Sequence, residues 1–134
     1  MNYTEEVKRR IFNRCIKIRG LDPNMWRLDA ANAIICYSSY GRDDEFFGWE
    51  IDHIYPLSRL EEKNVPEDLC YDERNLRALN WNNNLSKGDD YPTYKITMTS
   101  LDNGESNTRG QWSKTVNVRK QEQLMKLYKD YDLE

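Results

Sequence analysis

The sequence predicts an α+β fold, and three observations carry that prediction. Apolar residues recur at three- and four-residue steps near both ends of the chain, the spacing of amphipathic helices. Short alternating runs bounded by Gly, Pro and Asn occupy the middle and the C-terminal third, the spacing of half-buried strands. No linker, internal repeat or low-complexity tract divides the 134 residues, so residues 1–134 read as one domain.

Residues 4–19 are predicted as a helix. Val7, Ile11, Cys15 and Ile18 form its stripe, Phe12 and Ile16 flank it, and Gly20 ends it. Arg10, Arg14 and Lys17 share the opposite face. "LDPN" breaks the chain, a short helix or loop follows, and a strand is expected over 34–37. "GWEID" reads as a strand with Trp49 and Ile51 on one side and Glu50 and Asp52 on the other. A long connection over 55–74, punctuated by Pro56 and Pro66, leads to a strand over 75–79. "NWNNNLSKG" is a two-turn helix with Asn80 as N-cap and Gly88 as stop. So short a helix is marginal alone, so tertiary contacts or a bound ion must hold it. "YKITMTS" and "QWSKTVNV" predict a hairpin around "DNGESNTRG", and Leu124, Leu127, Tyr128 and Tyr131 stripe a last helix over 119–131.

Composition narrows the function classes. The chain is 38% hydrophobic, and no apolar run approaches the roughly 20 residues a membrane span needs, so no membrane partner is expected. "MNYTEEVKRR" lacks the apolar core of a secretion signal, and the three cysteines contain no C-x-x-C pair. Both features fit reduced thiols and a cytoplasmic location. Net charge is −3, which makes the whole surface a poor match for phosphate, yet "KRRIFNRCIKIR" carries six cations and no acid. Any nucleic-acid contact must therefore be local. A secreted nuclease toxin, which must find DNA unaided, fits this charge poorly.

The only histidine, His53, lies in "WEIDHIYPLS". An imidazole with an ordinary pKa near 6.5 takes a proton from water at neutral pH, and no other side chain here offers that. Around it the order D-H-I-x-P-x-S, then N-L-x-x-L, then N-x-x-K-G-D resembles the HNH endonucleases. The likeness is closest over 49–89, with His53, Asn75 and Asn84 at the three signature positions. This His-Asn-Asn variant also occurs in the HNH domain of RNA-guided CRISPR effectors. The flanks "YG…GWEIDH" and "NNLSKGDDYP" look like stand-alone HNH proteins of bacteria and phages.

The resemblance implies a ββα-metal core (the His-Me finger) and metal-dependent hydrolysis of phosphodiester bonds in DNA. His53 would be the general base. Asp52 and Asn84 would hold a divalent cation, and one carboxylate plus one amide oxygen suits Mg²⁺, with Mn²⁺ in its place and Zn²⁺ less suited. Asn82 and Asn83 are neighbouring alternatives to Asn84; the N-x-x-K spacing selects Asn84. Asn75 would tie the loop back through backbone hydrogen bonds and so orient the base. Lys87 would meet a phosphate, with Arg59 and Arg77 as further nucleic-acid contacts. In a regular strand Asp52 and His53 point to opposite sides, so the chain must bend at 53 for both to face one phosphate. The chain departs from the common pattern after the proline, where "PLSRLEEK" replaces S-G-G and puts substrate fit in question. No separate recognition module is visible, so any target specificity would come from loops or from a partner protein. The alternative reading is a non-catalytic nucleic-acid-binding or accessory module that keeps the same fold.

Overall fold

A computed structural model describes residues 2–102 and 104–133. Thr4 caps helix α1 (Glu5–Phe12) by accepting from the Val7 amide, with Glu5 and Glu6 in the first turn and Arg9 and Arg10 in the last, as the helix dipole favours. The helix ends at Phe12, seven residues short of the prediction. The buried Arg27 takes the Asn13 and Cys15 carbonyls through Nη1 at 3.0 and 2.9 Å, which draws the main chain out of the helix. Ile16–Lys17 then forms strand β1, antiparallel to β2 (Trp26–Leu28), which pairs in turn with β3 (Ile34–Cys36). β2 falls where the sequence suggested a short helix or loop; Asp29 shapes the β2–β3 turn by accepting the Ala31 and Ala33 amides at 2.8 Å.

Strand β4 (Trp49–His53) pairs antiparallel with β5 (Leu76–Asn80), Trp49 opposite Asn80 and His53 opposite Leu76. Gly48 leads into β4 because a Cβ there would lie 1.8 Å from the Arg42 carbonyl oxygen. Helix α4 (Trp81–Lys87) follows β5 directly, with the Asn80 side chain accepting from the Asn82 amide and Gly88 closing it at φ 51°. One face of the β4–β5 pair meets α1 through Trp49, Leu76, Ala78, Ile11 and Phe12. The other carries Asp52 and Arg77 toward α4.

The connection over 55–74 is largely helical rather than an open loop. It holds α2 (Leu57–Glu62), α3 (Glu67–Cys70) and a 3₁₀ turn, Glu73–Asn75. Pro56 and Pro66 stand at the N-caps of α2 and α3, where a missing N–H costs little. Leu60, Val65 and Cys70 bury themselves against Tyr55, Ile96, Leu124 and Tyr128, so this segment has its own core and no need of the flexibility that glycines supply. Strands β6 (Thr93–Thr99) and β7 (Thr108–Thr115) form the expected hairpin, with an irregularity between Ile96 and Met98; Asn103, in its loop, lies outside the described residues. Helix α5 (Val118–Leu127), capped by Asn117, ends earlier than predicted and passes into a 3₁₀ turn at Lys129–Tyr131. The architecture is α+β, and among the described residues no helix is long and apolar enough to cross a membrane.

Candidate active site

His53 closes β4, and pairing with β5 continues through it, so the chain turns after the histidine rather than at it. The turn is made by Asn75, which is fully buried. Its Oδ1 accepts the Tyr55 amide at 2.7 Å, its Nδ2 donates to the Tyr55 carbonyl at 3.0 Å, and its own carbonyl accepts the Ile54 amide at 2.9 Å. One amide side chain thus satisfies both main-chain groups of Tyr55, which would otherwise be stranded in the interior.

The imidazole is half-buried, edge-on to Tyr71 with ring centroids 4.8 Å apart. Burial pushes its pKa below the ordinary histidine value; the Asp52 carboxylate and the nearby Cys70 main chain oppose this, and the Lys87 ammonium adds to it. The ring is therefore neutral at pH 7 and carries a free lone pair, the state a general base needs. Its Nε2 is buried and has no hydrogen-bond partner of good geometry.

Asp52 leaves β4 on the α4 side and is 5% exposed. Arg77, directly across the strand pair, donates Nε to Oδ2 at 3.1 Å, and the Lys87 ammonium stands 3.4 Å from Oδ1. The Arg77 guanidinium also lies 4.9 Å from the centre of the Tyr94 ring, and its Nη2 is buried without a partner. Lys87 donates to the His53 carbonyl at 3.1 Å, so α4 grips the main chain of the histidine itself. Its side chain is 0% exposed, and burial lowers its pKa against the pull of Asp52. Lys87 and Arg77, expected at the phosphate, are instead turned inward on Asp52. There they neutralise a carboxylate that is itself buried, and so take the place that water would have at an exposed one. Arg59 remains half-exposed, donates to the Asp89 carbonyl at 2.9 Å, and stays available to a ligand in a cleft with Ser58, Lys63 and Glu62.

Asn84 sits one helical turn before Lys87 and also faces β4, but its amide donates to Glu50 Oε1 at 2.9 Å. Asp52 and Asn84 share no partner among the described residues: one answers to Arg77 and Lys87, the other to Glu50. Nor do three or more His, Cys, Asp or Glu side chains among the described residues converge as a metal site. Glu50 is the residue that sequence reasoning passed over. Its position two before Asp52, hence on the same strand face, was the available signal. Asn83, considered as a ligand, is a clamp instead. It donates to the Met98 carbonyl and Asp29, and accepts the Thr97 and Met98 amides, fastening α4 to β6.

Comparison of the chain with protein-family models, with curated proteins and with solved structures finds no match in any of the three.

Proposed function

We propose that the chain is a metal-dependent endonuclease of the HNH type, with a ββα-metal core over 49–89, that hydrolyses phosphodiester bonds in DNA. The observation that carries this reading is the half-buried imidazole of His53, its charged form disfavoured by burial and its chain held from two sides. Asn75 fixes the chain just after it, and Lys87 fixes its own carbonyl. His53 takes the proton of the attacking water, and Asn75 and Lys87 keep the ring from drifting.

Asp52, Asn84 and the neighbouring Glu50 are hard oxygen donors, so they suit Mg²⁺ or Mn²⁺ in kind. Asp52 and Asn84 would hold that ion, which when bound stabilises charge on the phosphoryl group and the leaving 3′ oxygen. The three free cysteines suit the cytoplasmic location that belongs to the same proposal.

Nicking of supercoiled plasmid in Mg²⁺ or Mn²⁺ tests the reading. His53→Ala should slow the reaction about 10²- to 10⁴-fold, the usual worth of a general base; equal activity in that variant, with EDTA controls, would remove the base assignment. A second reading, the non-catalytic nucleic-acid module, draws on one observation: both Asp52 oxygens are already engaged by cations. Wild-type protein that binds DNA but is inert with every divalent metal tried would favour it.

A further inference from the structure

Outside the cations that face Asp52, positive charge is concentrated around the 3₁₀ turn Glu73–Asn75. Two of the cations there are neutralised. Arg10 grips the Glu73 carboxylate at 3.1 and 2.7 Å, and Arg74 grips Asp72 at 2.8 Å through both Nε and Nη2. Two others are not. Arg14, just past α1, donates Nη1 to the Glu73 carbonyl at 3.1 Å, and Lys120, in the first turn of α5, donates to the Arg74 carbonyl at 2.9 Å. Consecutive main-chain carbonyls thus position two cations, and neither forms an ion pair among the described residues.

Their charges reinforce one another. Burial comes first among the causes that lower the Lys120 pKa, and Arg14, Arg77 and Arg74 follow. Like charges held together cost stability, and this chain carries a net negative charge with acids to spare elsewhere. Crowding of this kind is relieved by a polyanion. The location points the same way. The turn runs straight into Leu76, the residue paired with His53, and Tyr71, edge-on to the imidazole, belongs to the same connection.

We infer that Arg14 and Lys120 form a phosphate-contacting ridge that seats a nucleic-acid backbone beside His53. The charge geometry calls for a polyanion; the choice of nucleic acid rests on the nuclease reading above. The ridge is tested by fluorescence anisotropy with a labelled DNA duplex, in EDTA and in a His53→Ala background, so that neither metal nor cleavage enters. Arg14→Gln with Lys120→Gln should weaken binding about tenfold and flatten the slope of log K against log salt by about 2, one phosphate contact per cation. Arg14→Lys with Lys120→Arg should keep the wild-type slope. Should the glutamine pair unfold by circular dichroism, Arg14→Gln alone, which leaves Lys120 on its carbonyl, should still flatten the slope by about 1. An unchanged slope in folded variants overturns the ridge, as does polyglutamate competing as well as DNA. Salt-sensitive binding by the ridge with no plasmid nicking overturns the nuclease and leaves the ridge standing.

Discussion

Two buried aspartates meet side chains of α4 and are treated in opposite ways. Asp29 is 1% exposed, and its four partners are all neutral: the Ala31, Ala33 and Asn80 amides and the Asn83 side chain. Asp52 is 5% exposed, and both its partners, Arg77 and Lys87, are cations. Asn83 and Lys87 are four residues apart, so one short helix serves both sites. Neutral donors hold a carboxylate in one geometry and leave its negative charge in place. Cationic partners cancel the charge.

The comparison is broken most directly at Asp29. Asp29→Ala strands three main-chain amides and the Asn83 amide in the interior, at about 1–3 kcal/mol each. The sum, about 4–12 kcal/mol, rivals the whole stability of an ordinary domain. The variant should fail to fold, losing the cooperative urea transition and the amide-exchange protection of Ala33 and Met98. A cooperative transition near the wild-type midpoint would mean that water or a shifted main chain replaces the carboxylate.

Asp52→Ala should cost less, about 3–5 kcal/mol, because it leaves Lys87 and Arg77 buried without their counter-charge. The distinguishing result is rescue. Adding Lys87→Met removes one stranded cation and should recover part of the loss, measured as a positive coupling in a double-mutant cycle of urea midpoints. Additive losses in that cycle would make Asp52 a second Asp29 and end the contrast.

How much of this was legible beforehand differs between the two aspartates. The strand–connection–strand–helix order, the Asn80 cap and the Gly88 stop are local signals and could be read from the chain, and so could the side on which Asp52 leaves its strand. Asp29 could not. A lone aspartate in "RLDAANA" gives no sign that an amide 51 residues away, on Asn80, will bind it. The end of α1 was hidden for the same reason: the apolar spacing past Phe12 is helical, and only the distant Arg27 shows why the carbonyls turn away. Lys87 was misjudged because a long cation is ordinarily solvated. Its burial follows from Asp52 facing α4, a relation between elements rather than within one. Helices α2 and α3 are hidden in the sequence because their prolines look like breakers, whereas at an N-cap a proline begins a helix as well as it ends one.

The smallest effect sought is that of pH, and it also separates the two sites. Burial lowers the His53 pKa, so the native state resists a proton that the unfolded chain accepts from about pH 6.5 downward. The stability due to the neutral ring is thus fully present above that pH and is lost as pH falls through the native pKa. Burial raises the Asp29 pKa, with its four hydrogen bonds opposing, so that group acts with the other sign. As pH falls through its native value, the native state takes up a proton before the unfolded chain does, and stability increases. Urea midpoints followed from pH 8 to pH 5 should decline in the wild type below about pH 6.5. In His53→Ala the same curve should lose that part of its decline. Parallel curves would show that the imidazole is as free to protonate in the folded protein as in the unfolded chain, and it would then not be the neutral, sequestered base on which the nuclease proposal depends.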